Sequence, residues 1–265
     1  MNRDLIMETL SRRTLKNADF DRLTTFYNLS SECPTCGGRK KYVLDGTTHD
    51  CDCEIQRLLQ KHYYAANIPK RYHDICIDQH FVGKDRDEVL SVVTNYLDRW
   101  EDMQHFGLGL TFAGGYGTGK TFALCSILKA LLQRGEKVYF ITFDELINVW
   151  GASWSDEEQK RTLTDSLLSA AVLGLDELKT DPRNAQGFLQ NGLDNVIRHR
   201  TSNRLPTLIT TNMLPAEEER EFPKVFSLLS ESNTKVYLTG KDIRADEVAK
   251  TTSQLAAAGE RRPIC

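Results

Sequence analysis

Eight consecutive residues, Gly114-Gly115-Tyr116-Gly117-Thr118-Gly119-Lys120-Thr121, satisfy the pattern G-x-x-x-x-G-K-[ST]. Glycines carry no Cβ, so successive backbone N–H groups can curl into a nest for an anion. Gly115, Tyr116, Gly117, Thr118 and Gly119 are therefore the candidate cradle for phosphates. Lys120 is placed to reach the β- and γ-phosphates, the Thr121 hydroxyl to ligate Mg²⁺, and Phe122 to begin the helix behind them. The chemistry this implies is binding of a nucleoside triphosphate, with ATP the expected ligand.

A second constellation lies 55 residues further on. Ala171-Val172-Leu173-Gly174-Leu175-Asp176-Glu177 is an apolar run ending in two carboxylates. After a phosphate loop, such a run suits Mg²⁺-dependent hydrolysis: Asp176 holds the metal through its water shell and Glu177 polarises the attacking water. Asn212, just past the apolar run 206–211 (PTLITT), offers an amide to orient that water against the γ-phosphate. The alternative for Asn212 is a turn-capping amide. Lys120, Asp176, Glu177 and Asn212 thus form the candidate catalytic set, with Thr121 and Asp176 assigned to magnesium.

A third constellation is Cys33-Pro-Thr-Cys36-Gly-Gly, followed after fourteen residues by Cys51-Asp-Cys53. Paired thiolates at short spacing converge on one tetrahedral ion, so Cys33, Cys36, Cys51 and Cys53 are the candidate zinc ligands, with His49 a possible substitute. Four thiolates leave no open position for water, which makes the site structural. The chain has seven cysteines in all, an odd number, and its N-terminus carries no signal-peptide pattern, which argues against a disulfide framework. Cys76, Cys125 and Cys265 receive no chemistry; Cys125 is expected to pack as a small apolar side chain.

These residues need a scaffold. Strands are expected over 108–113, 137–143, 171–177, 206–211 and 235–239. Helices are expected over 122–134, closed by Gly135, over 144–150, from a capping box at 155–158 through 169, and over 191–204. Strands alternating with helices predict an α/β phosphate-loop NTPase fold, a five-stranded parallel sheet with helices on both faces and the site at the carboxyl ends of the strands. Upstream, 39–46 reads as a short hairpin and 4–27 shows helical spacing, giving a small zinc-ribbon and helical module. The expected division is 1–66 for that module and 67–265 for the nucleotide domain.

Composition sets the outer bounds. With 265 residues, 40% hydrophobic and 27% charged, the chain can bury a sizeable core. No run has transmembrane length, and a cytoplasmic protein without membrane partners is the expectation. The net charge of −3 is uneven: residues 1–72 hold 12 Lys+Arg against 9 Asp+Glu, the remainder 22 against 28. That asymmetry permits nucleic-acid contact through the first segment.

From Ile68-Pro69-Lys70-Arg71-Tyr72 through GGYGTGKT, VLGLDEL, the Arg200 segment leading to PTLITTN, and LTGKDIR, about three-quarters of the chain resembles the bacterial and phage DnaC/DnaI helicase-loader family of AAA+ ATPases, which includes the transposition helper IstB. The cysteine module extends the likeness to phage members. The resemblance implies slow ATP hydrolysis, single-stranded DNA contact, ATP-dependent self-association and delivery of a replicative hexameric helicase, with the segment before the ATPase binding the helicase. It puts the 68–72 stretch near the adenine and adds Phe122 and Arg244 to the nucleotide contacts. Loaders place an arginine about eight residues before the last strand, to touch ATP on a neighbouring subunit; here Phe226-Ser227-Leu228-Leu229-Ser230 stands there, leaving Arg220, Arg200 or Arg244 as substitutes. An IstB-like transposition ATPase and a nucleotide-gated clamp without turnover are the competing readings.

Overall fold

The computed structural model describes residues 33, 35–73, 87–151, 157–180 and 188–239. The helical spacing at 4–27, Cys76, Ser155 of the capping box, Arg244 and Cys265 lie outside the described residues.

Five strands form one parallel sheet: β3 (Gly109–Gly114), β4 (Val138–Thr142), β5 (Val172–Leu178), β6 (Thr207–Thr211) and β7 (Asn233–Leu238), in the order β4-β5-β6-β3-β7. The glycine-loop strand β3 is flanked on both sides, and β4 and β7 are the sheet's edges. All five expected strands are present, shifted by two residues at most. The strand expected to run to 143 stops at Thr142, where a capping box begins the next helix. The Glu145 N–H donates to Thr142 Oγ1 at 3.2 Å, and the Thr142 N–H donates to the Glu145 carboxylate at 3.0 Å.

Alternation along the strands sends side chains to opposite faces and creates two cores. Phe112, Phe140, Val172 and Leu208 face one, with α1 (Asp52–Ala65), α2 (Asp87–Asp98), α3 (Trp100–Phe106) and α4 (Lys120–Gln133). Ile141, Leu173, Leu175 and Ile209 face the other, with α5 (Phe143–Gly151), α6 (Glu157–Ser169), α7 (Phe188–Ser202) and α9 (Pro223–Ser232); the short α8 (Pro215–Glu221) precedes α9. Helix α4, which opens at the phosphate loop, is buried along most of its length. It rests directly on β5 at Gly174, where a Cβ would stand 2.7 Å from Leu128 Cδ1 and 2.8 Å from Leu124 Cδ2.

Before the sheet, β1 (Lys41–Leu44) and β2 (Thr47–Asp50) form the expected hairpin, turning at Asp45 and Gly46 with φ of 50° and 76°. Helix α1 follows at once and has no counterpart in the expectation from sequence. Its stripe Ile55, Leu59 and Tyr63 recurs every four residues and is buried in the first core, and Asp52 and Glu54 favour its N-terminus. The helix packs on α4, so the segment before residue 67 shares a core with the nucleotide fold.

Candidate functional site

The phosphate loop leaves β3 and bends through Gly117 and Gly119, whose φ values of 71° and 89° only glycine adopts without strain. Thr118 Oγ1 donates to the Gly115 carbonyl at 3.0 Å and Lys120 Nζ to the Gly114 carbonyl at 2.9 Å, which holds the loop around its lysine. The first turn of α4 then aims the positive end of its dipole at the nest.

Behind the loop sits a compact hydroxyl–carboxylate cluster. Thr121 Oγ1 donates to Asp176 Oδ1 at 2.9 Å, and Thr210 Oγ1 donates to the same oxygen at 2.6 Å. Burial raises the Asp176 carboxyl above its ordinary value, while the two hydroxyls and the charge of Arg71 pull the other way. Two hard oxygens, the Thr121 hydroxyl and the Asp176 carboxylate, thus stand side by side, a donor set that fits magnesium held by Thr121 and, through its water shell, by Asp176.

Glu177 is the one left-handed residue of β5, with φ of 57°, at a register slip in the β5–β6 pairing between Leu175 and Leu178. Its N–H donates to Thr210 Oγ1 at 2.9 Å. That conformation costs roughly 1–3 kcal/mol for a residue with a Cβ. It turns Glu177 out of an otherwise buried strand into the cleft. The cleft is lined by Arg71 and Tyr72, by 116–122, and by Glu177, Thr210 and Asn212. Asn212 presents a buried Oδ1 without a hydrogen-bond partner among the described residues, at the position expected from sequence. Tyr72 lies 6.5 Å, ring to ring, from Phe122. The structure thus brings Lys120, Thr121, Phe122, Asp176, Glu177 and Asn212 to one place.

Thr210 was not singled out from sequence, yet it ties Asp176 to Glu177. Its signal was a hydroxyl inside the apolar strand PTLITT, two residues before the amide. Because both threonines donate to Oδ1, Asp176→Asn can keep both bonds. The proton on Asp176 is held more tightly in the folded than in the unfolded chain, so ionisation costs stability as pH rises past the ordinary aspartate range. Asp176→Asn should therefore melt a few degrees higher at pH 7, with the gain vanishing toward pH 3, while losing magnesium-dependent turnover. Calorimetry across that pH range checks it.

The three arginine substitutes fare differently. Arg200 is fully buried: Nε donates to Thr207 Oγ1, Nη1 to the carbonyls of Leu167 and Ala170, and Nη2 to that of Pro206. It cannot reach a neighbouring subunit, and the expectation for it is corrected: it ties α6 and α7 to the start of β6. Arg220 pairs with Glu221 at 2.9 Å on the surface, and Arg244 lies outside the described residues. Phe226 and Leu228 pack on the second core, which accounts for the apolar character of the stretch.

The four cysteines gather as expected. Their sulfurs all lie within 4.8 Å of one another, with Cys33–Cys51 at 3.7 Å and Cys36–Cys53 at 3.5 Å. A tetrahedron of ~2.3 Å zinc–sulfur bonds has edges of about 3.8 Å, so the set fits zinc. Backbone N–H groups of Cys36 and Thr35 draw the Cys33 thiol down to about 6, while burial pushes those of Cys51 and Cys53 up. The second pair does not sit on a ribbon turn. Cys51 caps α1 and Cys53 lies in its first turn, where the C-x-C spacing puts both sulfurs toward Cys33 and Cys36. His49 is not in the cluster; it stacks on Tyr42 at 5.6 Å.

The hairpin buries almost nothing, whereas α1 is anchored in the core. One zinc per chain is expected by metal analysis. Chelation should expose 41–50 to hydrogen exchange and leave 55–63 protected and ATP binding intact. Metal-free protein with a protected hairpin would overturn the assignment.

Among the described residues no helix is long and apolar enough to cross a membrane. Residues 102–223 match the family described as IstB-like ATP binding protein. Over 245 residues, 83% of this chain and 75% of the relative, the sequence is 22% identical to the replicative helicase loader DnaI of Bacillus subtilis (strain 168). A DnaC helicase loader structure superposes with a TM-score of 0.56 at 24% identity, covering 64% of this chain and 100% of that one. The replication initiator DnaA bound to AMPPCP and single-stranded DNA gives 0.55 at 14% identity, over 73% and 58% of the two chains. The chain is thus similar in sequence to a DnaI helicase loader and in fold to a DnaC helicase loader, and its residues 102–223 match the IstB-like ATP binding protein family.

Proposed function

We propose that the chain is an ATP-dependent loader of a replicative hexameric DNA helicase, acting in the cytoplasm on single-stranded DNA and self-associating on ATP. The observation that carries the nucleotide part is the Thr121–Asp176–Thr210 cluster behind the loop, with Glu177 and Asn212 on the rim of the same cleft. The likeness to DnaI and DnaC supports the loader part.

The loop N–H groups and Lys120 hold the β- and γ-phosphates and offset their charge. Magnesium, when bound, would neutralise further phosphate charge. Thr121 would ligate it directly and Asp176 would hold it through its water shell. Asn212 orients a water in line with the γ-phosphorus, and Glu177 accepts its proton as the new P–O bond forms and the bond to the β–γ bridging oxygen breaks. ADP and inorganic phosphate result. In this reading 1–66 is a unit of role, with the metal-clipped hairpin and what precedes it meeting the helicase, while α1 shares the nucleotide core.

The test is co-purification with a replicative helicase, with and without ATP, for the full chain and a chain lacking 1–50. Helicase retention by the full chain alone supports the proposal. The IstB-like match favours a second reading, a transposition helper. Capture of a transposase with no retention of helicase would establish it instead.

A further inference from the structure

Two cations among the described residues line the nucleotide cleft, and they come from different elements: Lys120 from the loop and Arg71 from the single 3₁₀ turn Lys70–Tyr72. That turn is firmly held. Lys129, on α4, donates to the carbonyls of Tyr72 and His73 at 2.8 and 3.0 Å, and His73 Nε2 lies 2.7 Å from the Ile68 carbonyl. The Arg71 side chain is exposed in the cleft, with its guanidinium carbon 4.5 Å from the centre of the Tyr72 ring and a hydrogen bond to the Tyr72 hydroxyl. Its charge is felt at Asp176, where it opposes the effect of burial.

A guanidinium on a fixed turn, facing a phosphate nest across an open cleft, is suited to bind phosphate oxygens with several N–H groups at once. Among the described residues the stretch 226–230 has no arginine, Arg200 is buried and Arg220 is paired with Glu221, while Arg244 lies outside them. We propose that Arg71 binds the γ-phosphate of ATP from within the same chain, supplying in cis the charge that related ATPases draw from a neighbouring subunit. This rests on the nucleotide-site reading above.

Calorimetric titration of the full chain with ATP and with ADP, for the parent, Arg71→Ala, Arg71→Lys and Lys120→Ala, tests it. Arg71→Ala should weaken ATP roughly tenfold and ADP by less than about threefold, and Arg71→Lys should recover part of the loss. Turnover per chain in the parent should not change on dilution. Equal weakening of ATP and ADP would overturn the proposal and make Arg71 part of the base-binding platform. Recovery of turnover on mixing Arg71→Ala with Lys120→Ala chains would also overturn it, because the guanidinium would then act across a subunit boundary. If Lys120→Ala left ATP binding unchanged, the nucleotide-site reading itself would fall.

Discussion

Glu177→Gln should bind ATP as tightly as the parent chain and hydrolyse it roughly a hundredfold or more slowly. The amide has the size of the carboxylate and can hold a water, but it cannot accept the water's proton. The backbone that aims it is fixed independently of the side chain, by the left-handed turn at 177 and the N–H bond to Thr210. Binding should therefore survive. Lys120→Ala removes charge from the phosphate nest itself and should lose binding first. Single-turnover phosphate release, measured beside equilibrium ATP binding in the presence of single-stranded DNA, separates the two outcomes. Turnover unchanged in Glu177→Gln would mean that another group takes the proton.

Arg200→Ala should cost ~4 kcal/mol, close to a whole domain's margin of stability. The fully buried guanidinium donates to three backbone carbonyls and one hydroxyl, and its removal takes a donor from all four and leaves a cavity. Among the described residues only the Pro206 carbonyl keeps a backbone donor, the Leu173 N–H. Burial without a described carboxylate beside it pulls its own pKa down. The energetics therefore rest on directional bonds more than on charge pairing. Arg200→Lys should rescue little, since an ammonium cannot reach carbonyls of α6, of the loop before β5 and of the loop before β6 together. A melting temperature lower by ~10 °C is expected for Arg200→Ala, and no shift for Arg220→Ala. If the two variants melted alike, the guanidinium would not be a structural tie.

Much of this was legible because backbone-level constraints leave marks in sequence. The phosphate loop announces itself through glycines at positions where φ is positive, and the five strands through short runs rich in β-branched, aromatic and apolar residues. The Asp-Glu pair and Asn212 were legible from their place at strand ends. Other parts depend on relations a linear reading does not hold. Helix α1 was hidden because its cap and first turn carry the cysteines of a metal knuckle, although Ile55, Leu59 and Tyr63 repeat every four residues. The box Thr142–Glu145 was likewise present in the letters, straddling the expected boundary between strand 137–143 and helix 144–150. Arg200 stood among three substitutes for a finger arginine, and only three-dimensional proximity shows four acceptors closing around it. Thr210 became meaningful once β5 and β6 were known to be neighbours with a register slip at Glu177.

The junction between α1 and the sheet bears on whether chains can add to one another edge to edge. Strand β4 is an outer strand, and such a strand offers unpaired amides on which a second chain can add. At Phe140 that margin is closed: its N–H donates to the Ala66 carbonyl at 2.8 Å, and its carbonyl accepts from Asn67 Nδ2 at 3.0 Å. Two residues just past a helix end thus stand in for a sixth strand, and a chain cut after them would present a sticky border prone to fibre-like stacking.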